Sequence, residues 1–356
     1  MTLTYKELEI ELELEGLLAV EEFRLTQGLN QHALLTLKLL IEEEQGDDLV
    51  NMASALQVAV RELEETKGQF IFQGKLETVS AKKENGLVYL YLEAYSYTMD
   101  WDRAKKSRSF QNGSMTYMEA AERLLSVYGK ADIQDEVTKG AKIPEFLLQY
   151  EESDWVFLRR LASHFGSFLL PDASDACGKV YFGIPKISSG TVLEKKDYTL
   201  EKDFLYHARV LEREGVLPQE VSCWKVKTRR FLRMWETLIF NGIEAIVTGM
   251  ELHTNRGELV YSYELSRRAG IRREKEQNPR IYGMSIPATV MERSGNRVRV
   301  HLEVDPVYEA SEHTKYFTYA IESSSFYCMP EEGSQVHIYF PDHDEQSAVA
   351  VHALRS

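Results

Sequence analysis

Leu8-Glu9-Ile10-Glu11-Leu12-Glu13-Leu14-Glu15 alternates apolar and acidic residues without a break. A repeat of two is that of a β-strand, whose successive side chains point to opposite faces. A helix of the same composition would scatter its apolar residues around the circumference. The stretch therefore predicts a half-buried strand with its leucines and isoleucine on the core side. Glu9, Glu11, Glu13 and Glu15 form the other side, which either meets solvent or lines a channel. Gly16 ends the run.

Further strand signals follow at short spacing. Residues 34–41, 57–63, 69–79 and 87–97 are rich in β-branched, aromatic and leucine residues, with turn signals at Gln27-Gly28-Leu29-Asn30 and Glu84-Asn85-Gly86. Five or more strands in 97 residues predict a sandwich or barrel. The tyrosines 89, 91, 95 and 97 read as sheet packing rather than a base-stacking surface. The period then changes. Thr116-Tyr117-Met118-Glu119 is a capping box, and Met118, Ala121, Leu124, Leu125 and Tyr128 recur at helical spacing. A second helix is expected from Ser153, with Trp155, Leu158, Leu161, Ala162 and Phe165 as its apolar stripe and Gly166 as its stop.

From Ser167 short β-runs return, at residues 167–170, 179–184, 204–212, 220–226, 237–240, 244–251 and 259–265. A polar stretch with Asn278-Pro279 marks a boundary. Five more runs (285–291, 297–304, 316–321, 335–340 and 348–352) fit an OB-type barrel. The expected architecture is mainly β with a helical insert. Two tube-like β-barrel domains, residues 1–97 and 167–277, flank a helical connector at 98–166, and an OB-fold barrel at 278–356 follows.

The 356 residues carry 42 Lys and Arg against 56 Asp and Glu, a formal net charge of −14. That balance argues against direct nucleic-acid recognition, which needs clustered cations. The densest basic run, residues 267–273, is followed by Glu274 and Glu276 and reads as a solvated linker. The chain has no apolar run of membrane-spanning length, and its start lacks a signal-peptide pattern. Synthesis in the cytoplasm and no stable membrane insertion are expected. Cys177, Cys223 and Cys328 are far apart and read as reduced thiols. Asn112-Gly113-Ser114 reads as a turn.

Chemistry-bearing patterns are sparse. HExxH, GxSxG, the Walker loop and GxGxxG are all missing. Asp342-His343-Asp344 reads as a hairpin turn rather than a metal site. The acidic runs 42–44, 47–48 and 151–152 read as solvated turns and helix starts, the last suited to a helix N-terminus. No catalytic, cofactor-binding or metal residue is assigned.

Three stretches taken together resemble the VgrG-type spike proteins and the baseplate hub proteins of contractile phage tails, the late control protein D-like group. Ser107 to Asn112, with Arg108 and Phe110, resembles an element of that family that leads into a helix. Leu148 to Leu161, with Gln149, Tyr150, Ser153, Asp154 and Leu161 and then Gly166, is similar to the family's most specific segment. Met329-Pro330-Glu331-Glu332-Gly333-Ser334-Gln335-Val336 resembles its OB-barrel signature through Pro330 and Gly333, with Ser334 where the family usually has Asp. The resemblance spans essentially the whole chain, except that the sequence stops before the family's β-helical needle.

The resemblance implies a structural hub or spike-base protein and no enzyme. It implies a homotrimer that adapts a sixfold tail tube to a threefold spike. Partners would be the tail tube protein, a spike or needle tip protein and other baseplate components, within a phage tail, tailocin or type VI-like particle. In such a ring Glu9, Glu11, Glu13 and Glu15 could face a lumen. The alternatives are a tail-tip-associated cell-wall hydrolase, which needs convergent carboxylates or a Cys/His pair, and an OB-fold binding protein, which needs a basic aromatic groove.

Overall fold

The computed structural model describes residues 2–14, 16–42, 56–63, 68–208, 215–255, 257–320 and 329–352. The chain is mostly β and forms two compact units. One holds residues 1–100, 128–137 and 162–274, the other 101–127, 138–161 and 275–356.

In the first unit the opening stretch forms the strand Leu8–Leu12. Leu8, Ile10, Leu12 and Leu14 are all at most 4% exposed, while Glu9 and Glu11 are half-buried and Glu13 is exposed. Each buried leucine or isoleucine contributes about 1.5–3 kcal/mol relative to an exposed one. A one-residue slip would turn all four outward, so the core fixes the register. The strand pairs antiparallel with Thr2–Tyr5 and with Gln57–Glu62.

The sheet continues through Gln69–Glu84, Leu87–Ser96, Leu34–Ile41 and Leu17–Gly28. Thr2–Tyr5 lies back against Leu17–Gly28, so these seven strands approach barrel closure. Gly74 in the Gln69–Glu84 strand is required by packing: a Cβ there would sit 2.1 Å from the Tyr95 carbonyl oxygen. Tyr89, Tyr91 and Tyr95 are half-exposed on the face opposite the core, and the Lys38 ammonium lies 4.6 Å from the Tyr89 ring.

The second β region joins the first edge to edge. Leu17–Gly28 pairs with Ile243–Asn255, from Gly28 opposite Gly249 to Arg24 opposite His253. Glu258–Ser266, Cys223–Thr228 and Thr199–Glu201 continue the sheet. Glu236–Phe240 pairs with Ile243–Asn255, and Ile187–Leu193 with Glu236–Phe240, making 13 strands. The two expected β regions thus share one sheet and one apolar core.

The expected connector at 98–166 is only partly helical. Helices α1 (Tyr117–Leu125) and α2 (Asp154–Ser163) are present. Lys106–Phe110 and Leu147–Glu152 pair as a two-stranded sheet. Ala131–Asp135 joins Gly178–Phe182 and Leu169–Pro171 in a three-stranded one. Thr116 caps α1: its hydroxyl accepts from Glu119 N at 3.1 Å, and Thr116 N donates to the Glu119 carboxylate at 2.7 Å. Gly166 follows α2 with φ +60°, a left-handed stop that suits glycine.

The strand expected at 204–212 is a correction. Phe204–Tyr206 is a helical turn capped by Asp203, whose carboxylate accepts from Tyr206 N at 2.8 Å. Phe204 and Leu205 are exposed. The apolar triplet imitates a buried strand, but the local Asp cap decides its conformation. Residues 209–212 lie outside the described residues. Of the expected run 316–321, Phe317–Thr318 is strand and residue 321 lies outside the described residues.

In the second unit the C-terminal strands form a five-stranded sheet in the order Phe317–Thr318, Arg297–Leu302, Ser285–Ser294, Gln335–Tyr339, Val349–His352. Tyr319 bridges Ala350 in parallel, and Ala320 N donates to Ala350 O at 2.8 Å. These bonds bring the two end strands together and close a small barrel. Its interior is apolar, with Val298, Val300, Ile338 and Phe340 fully buried. Among the described residues no helix is long and apolar enough to cross a membrane.

Candidate functional site: a buried ionic cluster

Most of the residues singled out between 106 and 161 converge in the second unit. Ser153 begins α2 as its N-cap. Its hydroxyl accepts from Val156 N at 3.1 Å and donates to the Asp102 carboxylate. The next residue, Asp154, is fully buried at the first turn, where the helix dipole favours an anion. Its carboxylate takes Lys106 Nζ at 2.5 Å, Gln149 Nε2 at 2.9 Å and the Arg108 guanidinium. Arg108 Nε also donates to Gln149 Oε1 at 2.7 Å.

The backbone makes this convergence feasible. Lys106 and Arg108 stand two apart on the Lys106–Phe110 strand and so share a face. The partner strand carries an irregularity between Gln149 and Glu152, with Glu151 at φ +51°. Glu151 N donates to the Ser107 hydroxyl at 3.2 Å. The Tyr150 carbonyl accepts from Asn278 Nδ2 at 2.8 Å. Phe110 stacks on Phe157 of α2 with ring centroids 5.7 Å apart, and Leu161 is fully buried.

A second charged group lies one to two turns along α2. Arg160 is 3% exposed. It donates to both Glu152 oxygens, at 3.0 and 2.8 Å, to Leu148 O at 2.7 Å, and to Glu345. Glu345 also accepts from Leu148 N at 2.9 Å. Burial works against the Arg160 charge, but Glu345 and Glu152 outweigh it and hold its pKa above the ordinary arginine value. Burial pushes the Glu345 carboxyl above its usual range, with Arg160 and the Leu148 amide opposing. One buried guanidinium thus sits between two buried carboxyl groups.

Lys106, Arg160 and Glu345 have no role assigned from the sequence, and Glu152, expected in a solvated helix start, is instead 7% exposed and paired with Arg160. A signal for Arg160 was present: it falls between Phe157 and Leu161 at helical spacing, on the side of α2 that must be buried. Glu345 reads in sequence as part of a turn, and its partner lies 185 residues away. Asp342 does sit in the connection between two paired strands, accepting from Asp344 N and from the Ser347 hydroxyl, each at 2.7 Å.

Pro330 and Gly333 lie in the turn that opens the Gln335–Tyr339 strand. Gly333 N donates to Val290 O at 2.7 Å, and Val290 N returns to Ser334 O at 2.9 Å. Glu9, Glu11 and Glu13 are in the first unit; Glu9 and Glu11 share one face of the Leu8–Leu12 strand, and Glu13 follows its end. Glu11 pairs with Arg61 at 3.2 Å, both partners partly exposed. Glu15 lies outside the described residues. Among the described residues no three His, Cys, Asp or Glu side chains gather to hold a metal ion. On its Arg108 side the cluster borders a cavity of about 230 Å³ that Ser109, His301 and Asp305 also line. Its chemistry is that of a clamp joining a strand pair, a helix start and a barrel turn.

No family model matches the sequence, and no curated protein matches it either. Solved structures do match. The E. coli c3393 protein is a component of the type VI secretion system with structural similarity to the T4 bacteriophage tail proteins gp27 and gp5. It superposes with a TM-score of 0.70 at 14% identity, covering 96% of this chain and 98% of that one. The VgrG complex with PdpA from Francisella gives 0.57 at 9% identity, over 95% and 67%. The 43 kDa tail protein of prophage MuSo2 from Shewanella oneidensis gives 0.56 at 10%, over 76% and 99%. At these identities the likeness is one of fold: the chain has the mainly β fold of VgrG-like and phage tail hub proteins.

Proposed function

We propose that the protein is a structural baseplate hub or spike-base component of a contractile injection system, without enzymatic activity. One observation carries this reading. Two β regions fused into a single 13-stranded sheet, followed by a small closed barrel, match a type VI component over nearly the full length of both chains. The physical task of such a part is mechanical. It needs shape, rigidity and large interfaces rather than a nucleophile.

The buried ionic cluster suits that task. Cross-linking charges with fixed hydrogen-bond geometry resist sliding of a strand past a helix, because any slip leaves a charge unpaired in a dry interior. In this reading three copies form a ring that adapts a sixfold tube to a threefold spike, with tube, spike and other baseplate proteins as partners. Glu9, Glu11 and Glu13 then border the lumen, where like charge discourages adhesion of passing cargo.

Native mass spectrometry of the full chain, alone and with its tube protein at micromolar concentration, tests the assembly. A species of three times the chain mass is expected. A monomer under both conditions refutes the hub reading.

A further inference from the structure

The first unit contains a cavity of about 260 Å³ that the hub reading does not use. It is smaller than the roughly 300–1,000 Å³ typical of a site for a drug-sized ligand, which suits a single side chain. Phe70, Tyr181, Phe231 and Trp235 supply aromatic wall, with Met234 and Met250 beside them. Methionine adapts its shape to an inserted apolar group at little cost.

Three further features converge on this cavity. The first is backbone strain. Trp235 is buried with φ +67°, a left-handed conformation rare for a bulky residue. It is held by Nε1 donating to Pro171 O at 2.9 Å and by its N–H donating to Val247 O at 3.1 Å. Gln27 Nε2 donates to the same Pro171 carbonyl at 2.7 Å. Strain of this kind persists where surroundings fix it, and it clusters at binding sites.

The second feature is a cation at the rim. The Arg233 side chain is 51% exposed and lies 3.6 Å from Asp172. Asp172 has other partners: Ser174 Oγ at 2.6 Å, Tyr181 Oη at 3.2 Å and Lys179 Nζ at 3.7 Å. Arg233 can therefore swing to a second carboxylate without leaving Asp172 unpaired.

The third is a strand edge. Gln57–Glu62 accompanies the Gln69–Glu84 strand from Gln69 to Lys75, but Leu87–Ser96 joins only from Gly74. Between Gln69 and Gln73 the second side meets the 172–174 turn, through Gln73 N to Ala173 O at 2.7 Å. Gln69, Phe70 and Ile71, beyond that contact, border the cavity.

We propose that this cavity captures the C-terminus of a partner polypeptide. The last residues lie as a short extended strand along the Gln69–Ile71 edge. The terminal apolar side chain fills the aromatic pocket, and the terminal carboxylate pairs with Arg233. Edge pairing supplies general affinity, while the pocket and guanidinium select an apolar residue with a free carboxylate. The strand edge is what favours a peptide over a free apolar acid.

Isothermal titration calorimetry on the full chain tests this with three probes: an acetylated pentapeptide ending in phenylalanine with a free carboxylate, the same peptide as its C-terminal amide, and phenylacetate. The acid peptide is expected to bind on the order of tenfold or more tighter than the amide, the scale of one charge-assisted contact, and phenylacetate more weakly than either peptide. Arg233→Gln, at a half-exposed side chain, should fold normally and abolish the difference between acid and amide. No heat with the acid peptide, equal binding of acid and amide to the wild type, or phenylacetate binding as tightly as the peptide would each overturn the proposal.

Discussion

Replacing Arg160 with methionine is the sharpest test of the ionic cluster. The substitution keeps much of the apolar volume and removes the charge. Glu152 and Glu345 are then left facing each other at 7% and 5% exposure, and the Leu148 carbonyl loses the donor it had at 2.7 Å. Removing one member of a buried ion pair costs about 3–5 kcal/mol, because the remaining charge is uncompensated. Two carboxylates depend on this guanidinium, so the upper half of that range is expected. Burial already pushes the Glu345 carboxyl up, and loss of the opposing Arg160 would raise it further above its unfolded value. The native state would bind more protons than the unfolded one, and its stability would fall as pH rises. The deficit should therefore be smaller near pH 5.5 than near pH 7.5. Urea titration read by hydrogen exchange, which follows second-unit peptides separately, measures it. Adding Glu152→Leu and Glu345→Leu removes the stranded charges and should restore at least half of the loss. A single-variant deficit below about 1 kcal/mol, or one that grows on acidification, would refute the claim that the triad is desolvated and mutually dependent.

Three smaller perturbations separate the forces involved. Thr116→Ala removes the hydroxyl arm of the α1 capping box and leaves the backbone arm to Glu119; it should cost about 1 kcal/mol in urea unfolding of the second unit. Gly74→Ala places a methyl 2.1 Å from a backbone oxygen and should cost at least about 1–3 kcal/mol, with faster exchange of the Leu87–Ser96 amides. Arg123→Gln breaks the pair with Glu309, but both side chains are about half exposed. Its effect should stay below about 1 kcal/mol and shrink further in added salt.

Local pattern was legible wherever one residue type settles one conformation. The alternation from Leu8 to Leu14 left no other way to bury four aliphatic side chains. The Thr116 box and Gly166 set helix ends through their own backbone chemistry. Lys106–Phe110 was not legible, because Lys-Ser-Arg-Ser-Phe has no buried face of the ordinary apolar kind. Its inward side is charged, and it is a strand only because Asp154 and Gln149 receive those charges. The Phe204 run erred in the opposite direction, apolar yet exposed. As for the candidate site, the stretch containing Gln149, Ser153 and Asp154 was visible, but the partner Glu345 was hidden by distance along the chain. The C-terminal capture pocket had no sequence signature, since its walls come from seven separate segments.

The seam between Leu17–Gly28 and Ile243–Asn255 also sets a timetable for synthesis. Phe23 N donates to Thr254 Oγ1 across 231 residues. At roughly 5–20 residues per second, an emerging chain waits on the order of 10–50 s before the second strand exists. Throughout that interval Leu17–Gly28 has Leu34–Ile41 on one side and an open ladder on the other. An open ladder of that length can pair with any neighbouring nascent chain, above all a sister copy on the same polysome. Yield of folded protein should therefore respond to translation rate and to holding chaperones more than to the final stability of the fold. A chain truncated before Ile243 would keep the edge open permanently and should aggregate.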